Sequence, residues 1–178
     1  YTAITSGAYT EYSFVASPDG QGLSAIIGQR LNYLSLLPSS QSGLYYVPRV
    51  HIKYNEGPWS FRSQLSRSYR YLTLGSEYMG YMANSRHFSS NFWNDDQIEE
   101  TPIESSWTYG LSAAFAKDVF FKELQLYADA YLTSFDHKVV LDLDNNLDTA
   151  VFHYLQSTNS GQNPYALSLQ LGGQYELI

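Results

Sequence analysis

The sequence predicts an all-β chain, specifically an antiparallel transmembrane β-barrel with about eight strands present. Period-two alternation of apolar and polar residues recurs from end to end, while helical periodicity is scarce. The connections between alternating stretches are short and long in turn. Aromatic residues, with 17 Tyr among them, exceed what an ordinary core consumes. Tyr and Trp in such excess suit the girdles at a membrane interface or a ligand-binding surface.

The elements follow in order. Tyr9–Val15 sets Glu11 and Ser13 against Thr10, Tyr12 and Phe14. After the turn "SPDGQG", Leu23–Tyr33 places Leu23, Ala25, Ile27 and Leu31 opposite Ser24, Gly28, Arg30 and Asn32. A longer connection, "SLLPSSQSG", leads into "VPRVHIKYN", where Arg49, His51 and Lys53 share one parity and Pro48, Val50, Ile52 and Tyr54 the other. "NEGP" reads as a tight turn. Trp59–Tyr69 follows with the same alternation, and then a long segment, Tyr71–Ser105, shows no clean period. Alternation returns at Trp107–Phe115 and Leu124–Thr133, continues less cleanly through "VVLDLDNNLD" and "AVFHYLQ", and closes at Leu167–Tyr175. Short turns after the first, third and fifth strands and long segments after the second, fourth and sixth match barrels with short periplasmic turns and long outer loops.

Successive strand residues point to opposite faces, so each strand has one apolar and one polar side. Glu11, Arg30, Arg49, His51, Lys53 and Arg62 fall on the polar parity, as does Asp129, among Gly, Ser and Gln. That composition suits a wet lumen better than an outer solvated surface, which would carry more Lys and Glu. The opposite parity would then meet lipid. The other reading of the pattern is a soluble β-barrel whose apolar face points inward.

Composition narrows the function classes. A formal charge of −7 argues against a nucleic-acid partner. Without cysteine there is no disulfide framework, zinc-thiolate site or thiol nucleophile. No apolar run approaches the ~18–20 residues of a spanning helix. The opening "YTAITSGAYTEY" carries no signal peptide and reads as a mature form or an excised piece. No glycine motif for phosphate or dinucleotide and no nucleophile elbow occurs, and nothing orders Asp136, His137 and Asp142 as a catalytic set, so no enzyme activity, catalytic residue or cofactor is expected.

Several stretches, in order, carry a family resemblance. "GAYTEYSF", "PRVHIKYN", "SFRSQLSRSYRYLTLGSEYMGYMANSR", "IESSWTYGLS", "DAYLTSFDHKVVLDLDNN" and "LQLGGQYELI" resemble barrel segments of TonB-dependent outer-membrane receptors, particularly the Bacteroidetes type. Arg62, Arg67, Tyr69, Arg70, Glu77, Ser85 and Arg86 keep the family's places, while Ser66 and Ser68 stand where it has glycines. The resemblance covers nearly the whole chain. It implies that residues 1–178 are part of a barrel of about 22 strands, similar to its C-terminal half, with no plug-like segment among them. It also implies a bacterial outer-membrane location, surrounding lipid, a small-molecule or metal-chelate ligand, and coupling to the TonB energy-transducing protein through segments outside these residues. The implied function is uptake of a scarce nutrient such as a siderophore, cobalamin, haem or glycan. A self-contained eight-stranded barrel with a structural or adhesive role, and a soluble ligand-binding barrel, are the other two readings.

Candidate site residues follow from both lines. Tyr78, Tyr81 and Trp93 in the long segment are candidates to stack on a ligand, with Arg70 and Arg86 as its polar contacts. Arg49, Lys53, Arg62, Arg67 and Arg70 together suggest a basic interior suited to an anionic ligand. In "DLDNNLD", Asp142, Asp144, Asn146 and Asp148 offer oxygen ligands for calcium, but the Gly and Glu of an EF-hand loop are missing, with Leu147 and His153 in their places. A polar loop is the expected reading there. His51, His87, His137 and His153 show no metal-ligand spacing, so no metal site is expected.

Overall fold

The computed structural model describes residues 2–16, 20–37, 42–71, 80, 86–90, 103–120, 122–144, 148–156 and 164–175. They form strands β1 (Thr2–Val15), β2 (Gly22–Leu37), β3 (Ser42–Glu56), β4 (Trp59–Tyr71), β5 (His87–Ser90), β6 (Ile103–Val119), β7 (Lys122–Asp142), β8 (Thr149–Gln156) and β9 (Tyr165–Tyr175). All nine lie in one sheet, in the order β1-β2-β3-β4-β6-β7-β8-β5, with β9 also on β7. The neighbouring wall strands pair antiparallel, as the alternation predicts; β5 is the exception and pairs parallel with β8. The sheet is not closed: β1 and β9 lie at its opposite sides.

Several strands are longer than their alternating cores. The connection "SLLPSSQSG" is expected as a long loop, yet β2 runs on to Leu37 and β3 begins at Ser42, paired from Ser35↔Ser42 onward. β7 likewise continues to Asp142, so "VVLD" is strand. Backbone pairing with a neighbour extends these hairpins beyond the stretch where side chains alternate. Tight connections join β3 to β4 and β6 to β7. Gly57 sits at φ 55 in the first of these, a left-handed conformation that a Cβ disfavours.

One edge of β7 pairs with β6 and the other is shared by two strands. Its first half, Leu124–Ser134, pairs with β9, and its second half, His137–Asp142, pairs with β8. β8 and β9 both run antiparallel to β7 on the same side, as two pieces of one interrupted strand. The interruption faces Phe135 and Asp136, where a register shift in the β6–β7 ladder leaves Asp136 as an extra residue.

Burial is concentrated at the loop end. Among the described residues Leu34, Val139, Ala150 and Phe152 are the buried hydrophobic ones, and Phe88 of β5 packs on Phe152 at 6.1 Å between ring centres. Over the rest of the sheet large apolar side chains stand in the open, with Leu111 63%, Leu169 70% and Leu171 83% exposed. Among the described residues no second layer covers that face.

Candidate functional site

Register fixes the faces. One row of directly opposed residues runs Tyr12, Ile27, Val50, Leu65, Tyr109, Leu132, Leu167, and the next Phe14, Ala25, Ile52, Ser63, Leu111, Ala130, Leu169. These rows make one apolar face. The alternate rows are polar: Glu11, Gly28, Arg49, Ser66, Thr108, Thr133, and then Ser24, Lys53, Arg62, Ser112, Asp129, Gln170. Arg30 lies in the polar row one step further toward the long-loop end, paired with Tyr9 and Val47. Glu11, Arg30, Arg49, His51, Lys53 and Arg62 therefore stand on one face together.

The apolar face is bounded by aromatic clusters at both ends. At the short-turn end Trp59 stacks on Phe61 at 5.8 Å and packs on Phe115 at 4.8 Å. Toward the loops the Arg67 guanidinium lies over the rings of Tyr69 and Trp107, at 4.8 and 5.4 Å, and bonds the Asp136 carboxylate at 3.1 Å. From Trp59 to Arg67 the strand runs roughly 27 Å at about 3.4 Å per residue, which at a barrel tilt of about 40° spans roughly 20 Å of the outward apolar band of about 25 Å in outer-membrane barrels. Arg67 departs from the basic interior that its charge predicts: its parity places it on the apolar side, where two aromatic rings and Asp136 accommodate the charge.

A recess of about 640 Å³ opens on the polar face. Glu11, Arg49, His51, Lys53, Arg62, Gln64, Tyr127, Asp129 and Tyr131 contribute to its lining. Arg49 pairs with Glu11 across two strands, and its side chain lies flat over Gly28, where any Cβ would meet Arg49 Nε at 2.7 Å. Glycine at that place leaves room for the guanidinium to reach the carboxylate.

Above this recess, at the loop end, Arg70, Glu104 and Lys138 are aligned across β4, β6 and β7. The Glu104 side chain is 7% exposed; it accepts from Arg70 Nη2 at 2.6 Å, Lys138 Nζ at 3.0 Å and the Val139 N–H at 3.0 Å. Burial pushes this carboxyl up, but the Val139 N–H, Lys138 and Arg70 together outweigh it and hold Glu104 below its ordinary value. Nearby, Ser105 Oγ bonds His137 Nδ1 at 3.0 Å, and the His137 ring stacks on Tyr154.

The remaining candidates divide. Arg70 and Arg86 are engaged within the chain, Arg86 Nη1 donating to the Leu143 carbonyl at 2.8 Å. Tyr78, Tyr81 and Trp93 lie outside the described residues. In the acidic hairpin Asp142 Oδ1 accepts the Asp144 N–H at 2.9 Å, a local turn bond, and Asp142 Oδ2 is 3.8 Å from His153 Nε2. Asn146 lies outside the described residues, and among those described no three His, Asp or Glu side chains gather as metal ligands. Sequence reasoning missed the row Arg70–Glu104–Lys138, because the three residues are far apart in the chain and meet only through register.

Comparison with protein-family models returns no match, and neither does comparison with curated protein sequences. Solved structures do match. The copper transporter OprC is similar over 98% of this chain and 26% of its own, with a TM-score of 0.63 and 15% identity. The siderophore receptor PirA from Pseudomonas aeruginosa is similar over 96% of this chain and 30% of its own, with a TM-score of 0.55 and 16% identity. The chain thus spans less than a third of either structure's length. At these identities the likeness shows the fold alone: an open antiparallel sheet similar to part of the barrel in each of these structures.

Proposed function

We propose that this chain is wall from the barrel of a TonB-dependent outer-membrane receptor that takes up a scarce nutrient, and that it does no covalent chemistry on its cargo. The observation that carries the reading is the division of one uncovered sheet into two faces. One is an apolar band rimmed by Trp59, Phe61 and Phe115 at one end and by Tyr69 and Trp107 at the other. The other is a charged recess. Hydrocarbon satisfies the first, since closed barrels and helices are the structures whose backbone groups are all bonded in lipid. Water satisfies the second.

The fold shared with a copper transporter and a siderophore receptor supports uptake of a metal or metal chelate, and the quoted motifs support the TonB-dependent, Bacteroidetes-type assignment. In this reading Glu11, Arg30, Arg49, His51, Lys53 and Arg62 face the lumen. The long segment between β4 and β6, with Tyr78, Tyr81 and Trp93, meets the ligand outside the membrane. Energy coupling runs through segments outside these residues.

The test is single-cysteine labelling at Ile52 and at Lys53 in liposomes. Ile52→Cys should react with a lipid-soluble maleimide and resist a charged one, and Lys53→Cys should do the reverse. If Ile52→Cys is shielded from both reagents while Lys53→Cys labels freely without any membrane, the chain is a soluble barrel and the transport reading is wrong.

A further inference from the structure

On the polar face, near the short β3–β4 turn, Lys53 and Arg62 are directly opposed in the ladder. Side chains so paired have Cβ atoms roughly 5 Å apart, and like charges in that position repel. Among the described residues no carboxylate forms an ion pair with either. Glu11 is taken by Arg49, and Asp129, although in the same row, is separated from Arg62 by Ser112 on β6. Both cations line the 640 Å³ recess, as does Ser60 in the adjacent row toward the turn.

That adjacent row supplies a second, independent observation. Ser60 pairs directly with Asn55, and the Ser60 Oγ and Asn55 Oδ1 atoms are buried without a hydrogen-bond partner. The Asn55 amide is oriented by its Nδ2, which donates to the Gly20 carbonyl at 2.7 Å. A buried hydroxyl without a partner is costly and marks a place where a polar occupant belongs. Two opposed cations and a buried hydroxyl therefore converge on one spot, in a recess large enough for a small solute.

We propose that Lys53, Arg62 and Ser60 form a binding site for an oxyanion, the carboxylate or phosphate group of a small solute, at the short-turn end of the polar face. Its charge neutralises the Lys53–Arg62 repulsion, the guanidinium and ammonium donate to its oxygens, and a rotation of the Ser60 side chain about χ1 turns the buried Oγ into the recess to donate to one more. The site sits at the opposite end of the strands from the long outer segment, so it is a place on the way out of the lumen rather than of first capture. In that respect it rests on the assignment of this face to the lumen, which the labelling at Ile52 and Lys53 reports separately.

The experiment uses the full chain in detergent, with inorganic phosphate as the probe and chloride of equal ionic strength as the reference. About 50 mM phosphate should raise the unfolding midpoint by about 3 °C, as expected for a ligand present at several times its dissociation constant. Phosphorus NMR line broadening on the unmodified chain gives a reading independent of unfolding. In Lys53→Gln and Arg62→Gln the rise should fall below about 1 °C, while Arg30→Gln keeps it. In chloride alone Lys53→Gln should match or exceed the unmodified chain, because a like-charge contact is gone. Absence of a phosphate response, its persistence in both variants, or its loss in Arg30→Gln overturns the site. So does a lower midpoint for Lys53→Gln in chloride, which would mean that a carboxylate of the protein itself already occupies it.

Discussion

Glu104 shows how much one residue can decide at the base of the long segment. Its carboxylate receives two cations and a backbone N–H, and it ties β4, β6 and the upper part of β7 together. Removing one member of a buried ion pair leaves the others unpaired, and with Arg70 half-exposed Glu104→Gln should cost about 2–4 kcal/mol in denaturant unfolding. The sign of the pH effect follows from the lowered value. A carboxylate whose folded value lies below its unfolded one contributes stability above the unfolded value and loses it as pH falls through the folded one. Acidification below about pH 4.5, the ordinary value for this group, should therefore destabilise the unmodified chain more steeply than Glu104→Gln. Parallel acid limbs would remove Glu104 from this role. None of this was legible in the sequence, where "IESSW" reads only as the start of a strand.

At the scale of the element, alternation told nearly everything about which way side chains point and little about where strands stop. Leu111 and Ser112 are neighbours on β6 with opposite fates. Leu111 stands in the middle of the exposed apolar band and Ser112 in the row between Arg62 and Asp129. Leu111→Arg should cost about 2–4 kcal/mol in unfolding from liposomes, the value for a cation near the bilayer midplane, while Ser112→Arg should stay near zero. On a water-soluble surface the order would not appear, since arginine at an exposed position is nearly neutral. Arg67 marks the limit of parity reasoning by residue type. Counting along "RSQLSRSYR" puts it on the apolar side, but its charge suggests the other, and the structure shows why both are satisfied: Tyr69, Trp107 and Asp136 surround it at the rim. Strand ends were less legible because β2, β3 and β7 are prolonged by backbone pairing, which carries no side-chain signature.

For the molecule as a whole, the exposed apolar band and the unpaired edges of β1 and β9 set its behaviour. Among the described residues few hydrophobic side chains are buried, all at the loop end, and none of them packs over the wide part of the sheet. Open edges add unpaired N–H and C=O groups that template further pairing. Expressed alone in aqueous buffer the chain should precipitate, and it should regain strand signal by circular dichroism only in detergent or lipid. A soluble monomer with full strand content would count against a membrane wall.

The sequence by itself determined the all-β class, the two faces, and which charged residues share one of them, because a strict period of two leaves side chains no freedom of face. It also predicted the tight β3–β4 and β6–β7 turns and the long segment after β4, but not the short connection between β2 and β3, where strand runs to Leu37 and resumes at Ser42. Only the tertiary structure decided the contacts that depend on register: Arg49 reaching Glu11 over Gly28, Lys53 set against Arg62, and Arg70, Glu104 and Lys138 brought into line. Except for Lys53 and Arg62, which meet across the tight β3–β4 turn, those residues lie tens of positions apart in the chain, and no local pattern encodes the offset that aligns their strands. The interruption between β8 and β9 is of the same kind, since it becomes visible only when both pieces are seen against the single strand β7.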